Sequence, residues 1–282
     1  MEIINRKHRM SSLARKLRRE SKILGFVPTM GALHEGHLSL IRKARQMCDV
    51  VVVSIFVNPT QFNEQTDLEA YPRDLTSDAA RLADESVDYI FAPPVNDIYV
   101  EGFSTFVTVD EITEKLEGAS RPGHFRGVAT IITILFNTIR PDYAFFGQKD
   151  AQQVAVIKRL TVDLGFETEI VSLPIVRENN GLAMSSRNEL LTKEQRDAAS
   201  IVHKSLISAE VAYESGEKNA AKLSEIIQNE LNSEPDAKID YVAIVNNETL
   251  DPVEKLGESP VLIAVAVRFG NVRLIDNIVI SD

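Results

Sequence analysis

Short apolar runs recur along this chain and constrain its fold more than any other feature of the sequence. Strands with one face in water alternate apolar and polar residues, whereas nearly continuous runs are typical of strands covered on both faces. Helical patterns separate most of these runs. The runs are Ile23–Val27, Val50–Val57, Tyr89–Ala92, Tyr143–Phe146 and, in part, Glu169–Leu173.

The helical pattern is clearest between Val128 and Ile139, where apolar residues keep positions i, i+3, i+4, i+7, i+8 and i+11. Many of these residues are β-branched, yet the spacing predicts a buried helix, and Pro141 ends it. Strands that alternate with helices indicate an α/β fold with a parallel sheet covered on both faces. Ligands of such sheets bind beyond the carboxyl ends of the strands, so polar loops there are candidate sites.

The pattern changes after about residue 176. Two helical segments are followed by strands, which predicts a smaller α+β domain and a division into residues 1–176 and 177–282, joined near residues 178–181. The predicted elements are helices from Thr192 to about Glu214 and from about Asn219 to Leu231, and strands at Ile239–Val245 and Val261–Ile280 with a hairpin turn at Phe269–Asn271.

Composition restricts the class of protein. The chain has 282 residues, 44% of them hydrophobic, and one cysteine, Cys48, for which we expect a place in the core. It contains neither a long apolar span nor a secretory signal pattern, so we expect a cytoplasmic protein without a membrane partner. The net charge of −10 disfavours nucleic acid as a partner. The basic residues 6–22 fit a solvated helix face.

The loop from Pro28 to His37 follows the first predicted strand and precedes a helix. It places His34 and His37 three residues apart at a helix start, where exposed N–H groups attract anions, so a phosphate site is one interpretation. Simple helix capping by the histidines is the other. A zinc-protease helix needs imidazoles four apart, and Gly31 and Gly36 complete neither a Walker loop nor a dinucleotide fingerprint.

A second candidate loop, Gly147-Gln148-Lys149-Asp150, follows the strand that ends at Phe146. Lys149 would place a cation at the same sheet edge as the histidines, which suits phosphate, although a solvated lysine also fits. Asp150 and Gln153 have the spacing of a capping box, so a purely structural reading stays open.

Three further loops carry polar groups. Met184-Ser185-Ser186-Arg187-Asn188 combines hydroxyls with a guanidinium, although a serine before a helix is also an ordinary cap. Asn58–Phe62 is a turn that presents Gln61 at the sheet edge. Arg121–Gly127 precedes the predicted buried helix, where anion binding and dimer packing are both open.

These five ordered motifs together closely resemble the pantothenate synthetase family, over essentially the whole chain. The resemblance implies a Rossmann-like nucleotidylyltransferase sheet, with the smaller C-terminal domain closing over the active site. It also implies a homodimeric, ATP-dependent ligase that forms a pantoyl adenylate from pantoate and then transfers the pantoyl group to β-alanine. Magnesium should accompany ATP without a dedicated protein cage.

The resemblance also implies roles for individual residues. His34, His37, Lys149, Arg187 and the two serines would contact the phosphates, with His37 as candidate proton donor, and Asp150 would accept from the ribose. Val176 would contact adenine through its backbone, and Gln61 and Gln153 would hold pantoate, with Gln61 also near β-alanine. The expected ATP site comprises Met30, Gly31, Ala32, Leu33, His34, Glu35, Gly36, His37, Gly147, Gln148, Lys149, Asp150, Val176, Met184, Ser185, Ser186 and Arg187.

Three other functions compete with this one. A related nucleotidyl-transferring enzyme could act on another small acid, but Gln61 and Gln153 favour a hydroxy acid. An RNA-binding or tRNA-charging module is disfavoured by the acidic charge balance. A non-catalytic ATP sensor would need neither Lys149 nor Arg187, so their presence favours an enzyme.

Overall fold

The computed structural model describes residues 1–281 and contains two sheets. The larger has six parallel strands in the order β1-β4-β3-β2-β5-β6, and the smaller has three antiparallel strands in the order β7-β8-β9. The strands are β1 (Glu2–Ile4), β2 (Leu24–Thr29), β3 (Val50–Ile55), β4 (Tyr89–Phe91), β5 (Tyr143–Gly147), β6 (Glu169–Leu173), β7 (Ala237–Asn246), β8 (Val261–Phe269) and β9 (Val272–Ile280).

The helices lie between the parallel strands and before the antiparallel ones. They are α1 (Lys7–Arg19), α2 (Glu35–Met47), α3 (Gln65–Ala70), α4 (Leu75–Asp84), α5 (Val95–Ile98), α6 (Leu116–Ser120), α7 (His124–Ile139), α8 (Ala151–Asp163), α9 (Lys193–Ala198), α10 (Ile201–Glu214) and α11 (Ala220–Asn232). The fold prediction, a Rossmann-like parallel sheet with a smaller α+β part, is confirmed.

The central strands are buried on both faces, as their continuous apolar composition predicts. Val51, Val52 and Val53 of β3 are 0% exposed, so both sides of this strand pack against other elements. Cys48 is buried as well, and desolvation raises the pKa of its thiol to about 11, which makes it unreactive. The sequence patterns did not reveal β1, because it begins with Glu2 and only one of its three residues is buried.

Two predicted helices have different bounds in the structure. The buried helix begins at His124, so His124 and Arg126 lie in its first turn and not before it. The prediction of one helix from Thr192 to Glu214 is wrong, because α9 ends at Ala198 and α10 begins at Ile201. Ser200 lies in this break, where its hydroxyl donates to the Asp197 carbonyl at 2.7 Å and competes with helical bonding.

The basic N-terminal segment forms α1, a solvated helix as expected. Met10, Ala14 and Leu17 form its buried stripe, and its charged residues lie outside that stripe. Among residues 1–281, no helix is long and apolar enough to cross a bilayer.

The chain divides into two compact units. The N-terminal unit comprises Met1–Gly147 and Val156–Leu173, and the C-terminal unit comprises Gln148–Ala155 and the chain from Pro174 onward. This division differs from a single boundary after residue 176, because the first residues after β5 group with the C-terminal unit. That this unit closes over the active site stays a prediction.

Candidate active site

The histidine loop connects β2 to α2, and its two imidazoles cap the helix reciprocally. His34 is the N-cap residue, and its Nδ1 accepts from the Gly36 N–H at 3.2 Å. Nδ1 of His37 accepts from the His34 N–H at 3.3 Å, and the ring centroids are 4.1 Å apart. The prediction that both histidines lie at a helix start is therefore confirmed, and they do cap it.

This cap determines which ring nitrogen carries the proton. A nitrogen that accepts a hydrogen bond has no proton, so each neutral ring carries its proton on Nε2. Nε2–H is then a donor at the positive end of α2. Capping and phosphate binding thus use opposite nitrogens of each imidazole, and the two interpretations of the motif are compatible.

Asp78 of α4 holds the turn before the histidines, and the sequence patterns gave no signal for it. Its carboxylate is 4% exposed and accepts from the Ala32 N–H at 3.1 Å and the Leu33 N–H at 2.9 Å. Gly31 has φ +86°, and a Cβ there would lie 2.8 Å from Asp78 Oδ2. Only glycine therefore fits both the turn and the carboxylate beneath it.

Glu35, another member of the expected ATP site, has its carboxylate paired with Arg42. Arg42 also forms a two-nitrogen contact with Glu85. Glu35 in the first turn of α2 is therefore paired within its own helix, by a guanidinium that it shares with Glu85.

The turn carrying Gln61 is organised around Asn58, which is 1% exposed. Asn58 Oδ1 accepts from the Tyr99 hydroxyl at 2.7 Å and the Thr60 hydroxyl at 2.9 Å, while Nδ2 donates to Gln61 Oε1 at 3.0 Å and to the Gly127 carbonyl at 3.1 Å. Burial raises the pKa of Tyr99, which keeps its hydroxyl protonated as a donor. The Asn-Pro turn predicted from sequence is present, and Asn58 fixes it.

Gln61 contacts the histidine loop through Met30, since its Nε2 lies 3.2 Å from Met30 Sδ. The Gln61 carbonyl lies 2.8 Å from Nδ1 of His124, in the first turn of α7. The structure therefore brings together Met30 and Gln61, which were predicted to contact ATP and pantoate. Through this contact, the Arg121–Gly127 motif helps to hold the Gln61 turn.

The lysine loop belongs to the C-terminal unit. Residues Gln148–Asp150 form a 3-10 turn that runs directly into α8. Asn277 of β9 donates through Nδ2 to the Gln148 and Lys149 carbonyls, each at 3.0 Å. Lys149 is partly exposed and Asp150 exposed, so both side chains are available to a ligand.

Val176 begins a hairpin that leads into the serine loop. The Val176 carbonyl accepts from the Met184 N–H at 2.9 Å. Arg177 forms a fork on the buried Asp276 carboxylate, with N···O distances of 2.6 and 3.0 Å. A pair with this geometry and burial holds the hairpin firmly.

The serine loop Met184–Asn188 is capped by Ser185, whose hydroxyl accepts from the Arg187 N–H at 3.3 Å. The capping interpretation of this serine is thus present in the structure. Asn188 is 2% exposed and donates to Glu178 Oε1 at 2.7 Å and to the Ala183 carbonyl at 3.0 Å. Asn188 therefore supports the loop and does not face a ligand.

Lys149, Ser185 and Arg187 line one small pocket of the C-terminal unit, together with Asp276 and Arg273. Lys149, Arg187 and Arg273 bring three cations to this pocket against one carboxylate, and with the Ser185 hydroxyl they suit an anionic ligand such as phosphate. Gln153, in the first turn of α8, is partly exposed. The residues predicted to contact ATP are divided between units: Met30–His37 and Gly147 lie in the first, and Gln148–Asp150, Val176 and Met184–Arg187 in the second.

A parallel sheet, a helix start capped by histidines and a cationic pocket are features that nucleotide-dependent α/β enzymes combine. The sequence profile of the pantoate-beta-alanine ligase family matches residues 2–279. The chain belongs to this family and is an enzyme, a ligase.

Relatives and solved structures agree with that assignment. The chain is 52% identical over 282 residues to pantothenate synthetase of Heliobacterium modesticaldum and 49% identical over 282 residues to that of Pelotomaculum thermopropionicum, covering 100% of each chain in both cases. The crystal structure of pantothenate synthetase from Thermus thermophilus superposes with a TM-score of 0.92 at 42% identity, over 99% of both chains. Pantoate-beta-alanine ligase from Francisella tularensis, complexed with beta-gamma ATP and beta-alanine, has a TM-score of 0.79 at 38% identity, over 99% of this chain and 97% of that one.

Proposed function

We propose that this chain condenses pantoate with β-alanine at the expense of ATP, through a pantoyl adenylate, with the loops described above as its active site. A pantoate carboxylate oxygen attacks the α-phosphorus of ATP, and the bond to pyrophosphate breaks. The β-alanine amine then attacks the acyl carbon, AMP leaves with the bonding electron pair, and the amine loses a proton. The chemistry needs no enzyme nucleophile, so positioning and charge stabilisation supply the catalysis.

The reciprocal histidine cap is the observation that carries this proposal. Because both Nδ1 atoms accept backbone N–H bonds, both Nε2–H groups are donors at the positive end of α2. Donors of this kind stabilise charge that develops on phosphate oxygens during adenylation. His37 acts in this way as a neutral donor, a role that the helix end favours over an imidazolium.

The C-terminal unit supplies the cations. Lys149 and Arg187 neutralise phosphate charge, Ser185 and Ser186 donate to phosphate oxygens, and Asp150 accepts from the ribose hydroxyls. The Val176 backbone holds adenine in the hairpin. The shared pocket of Lys149, Ser185 and Arg187 supports this assignment.

The hydroxy acid is held by amides. Gln61 binds pantoate and lies near β-alanine, and Gln153 binds pantoate from the first turn of α8. An amide can donate to the carboxylate and accept from a hydroxyl of the same substrate, which suits a hydroxy acid. The fixed position of Gln61, bonded through Oε1 to the buried Asn58, supports its role.

Mg²⁺ enters with ATP in this proposal. Within residues 1–281, no group of three or more His, Cys, Asp or Glu side chains is arranged to hold a metal ion. A phosphate-bound Mg²⁺ that keeps most of its water ligands fits such a site, and it would offset charge on the phosphates. We further propose a cytoplasmic homodimer without a nucleic-acid partner. Light scattering at working concentration tests the dimer.

The decisive experiment is pantoate-dependent exchange of labelled pyrophosphate into ATP, with Mg²⁺ present and β-alanine absent, for the unmodified chain and for His37→Ala. We expect exchange that the variant loses by about 100-fold or more, as for removal of one charge-stabilising donor. Adding β-alanine should then release AMP. Exchange with another acid but not with pantoate would refute the substrate, and no exchange with any acid would refute the adenylate.

A further inference from the structure

Asn277 lies on β9, and the hydrogen bonds of its buried side chain go to a turn distant in sequence rather than to the sheet. It is 4% exposed, and its Nδ2 lies 3.0 Å from both the Gln148 and the Lys149 carbonyl oxygens. Its Oδ1 lies 3.4 Å from Gln148 Nε2. All three contacts therefore go to the turn that carries Lys149, more than a hundred residues earlier in the chain.

The chemistry of the turn explains why this residue is an amide. Carbonyls withdrawn from water need donors, and a carboxamide nitrogen offers two hydrogens from one atom. An aspartate of the same shape would direct an oxygen at two carbonyl oxygens. The side-chain amide of Asn277 thus matches the turn, because its two N–H hydrogens serve the two turn carbonyls. Pairing within the sheet uses only backbone groups and does not require this side chain.

The preceding residue holds Asn277 in place. Asp276 is 3% exposed, and its Oδ1 accepts from the Asn277 N–H at 2.8 Å. The same carboxylate carries the fork from Arg177. Asn277 therefore belongs to a buried polar network with little freedom, which suits a group that determines the position of another.

We propose that Asn277 is a positioning residue for adenylation: it fixes the backbone turn from which Lys149 reaches the phosphates of ATP. The inference rests on the proposed role of Lys149. A lysine side chain is long and flexible, so the placement of its ammonium depends on where its Cα is held. Misplacement by about 1 Å can cost a rate about 100-fold even when the chemical group is intact.

The first test is Asn277→Asp in the full chain, assayed by pantoate-dependent pyrophosphate exchange. We expect the maximal exchange rate to fall by about 100-fold. The KM for pantoate should change much less than the rate, because Gln61 and its supports are unchanged and only Gln153 follows the displaced turn. Asn277→Ser, which offers one hydroxyl donor, should show a smaller loss of exchange. It replaces the aspartate variant as the test if that variant does not fold.

A matched control separates positioning from loss of stability. Ile227 is 0% exposed in α11 of the same unit, and Ile227→Val removes one buried methylene at a cost of about 1 kcal/mol. It should lower Tm and leave the exchange rate nearly unchanged. Exchange by Asn277→Asp equal to that of Ile227→Val would overturn the inference.

A double-mutant cycle tests whether Asn277 acts through Lys149. In a Lys149→Ala chain there is no ammonium to position, so adding Asn277→Asp should reduce the remaining exchange by less than about twofold. Two losses that multiply would overturn the inference. If Asn277→Asp keeps its exchange while Lys149→Ala loses it, only the inference about Asn277 is overturned. If Lys149→Ala keeps full exchange, the proposed role of Lys149 and the inference about Asn277 are both overturned.

Discussion

The histidine loop and the lysine loop, both proposed to contact phosphate, are turns that are built in different ways. The histidine loop is held partly from within, since His34 and His37 bond to backbone N–H groups at most three residues away, and partly from α4 through Asp78. The lysine loop is organised from outside, by Asn277 on β9. Both follow a parallel strand, and the first carries a reciprocal side-chain cap of its own.

This difference predicts which substitutions should damage each loop. A locally capped loop should be damaged mainly by changes within its motif. A loop held at a distance should be damaged by a residue that no motif contains. The four changes below test this contrast, beginning with the largest expected effect.

Replacing His34 should have the largest effect, because it removes both a helix cap and a proposed hydrogen-bond donor to phosphate. His34→Ala should lower pyrophosphate exchange by about 100- to 1000-fold. Loss of the cap should also cost about 1 kcal/mol, which thermal unfolding would show as a lower Tm.

His34→Asn separates these two roles. Asparagine is a good N-cap residue, so this variant should regain the Tm and remain defective in exchange. Recovery of exchange together with Tm would show that His34 only caps the helix, and the local interpretation of the loop would then need revision.

Gly127→Ala tests a support that comes from outside the motif it serves. A Cβ on Gly127 would lie 2.4 Å from the Thr60 carbonyl oxygen and 2.7 Å from the Gln61 N–H nitrogen. The Gln61 turn must shift to admit it, so we expect KM for pantoate to rise by about tenfold or more. Asn137→Ala, at an exposed position of α7, is the control and should leave KM unchanged. An unchanged KM in Gly127→Ala would show that the turn is not fixed by this helix.

Asp78→Asn tests a distant support of the histidine loop. The amide can accept from one backbone N–H, but its NH₂ group then faces the other. We expect a loss of about 1–3 kcal/mol in the free energy of unfolding and about a tenfold loss of exchange. Asp84→Asn, exposed on the same helix, should change neither. A loss of exchange as large as that of His34→Ala would mean that this loop also depends chiefly on distant contacts.

The smallest effect concerns the acid sensitivity of the serine loop. A hydrogen bond from Arg196 is the main cause that lowers the pKa of Glu178 below its usual 4.5. A lowered folded-state pKa stabilises the protein above the unfolded pKa, and this stabilisation is lost as pH falls through the folded pKa. Glu178→Gln should therefore lower Tm slightly at pH 7, corresponding to less than about 1 kcal/mol in the free energy of unfolding, and this difference should shrink as pH falls below 4.5.

Glu225→Gln, at an exposed position of α11, controls for the loss of one negative charge. Its Tm should follow that of the unmodified chain at every pH. A Glu178→Gln variant whose difference from the unmodified chain is the same at pH 7 and pH 3 would contradict the assigned cause.

Much of this architecture could be predicted because its signals are local. The apolar runs predicted five strands of the parallel sheet, and the spacing of His34 and His37 placed them at a helix start. Asp78 and Asn277 could not be found in this way, since their partners are distant in sequence and a lone aspartate or asparagine has no pattern. The break near Ser200 was missed because apolar periodicity continues through a residue that leaves the helix.

The reciprocal cap also couples His34 and His37 energetically. Each ring supports the turn that positions the other, so removing one already disturbs its partner. Replacing both should therefore cost little more in exchange than replacing either, and the two losses should not multiply. In energetic terms, the helix start contains a single coupled donor pair rather than two independent residues.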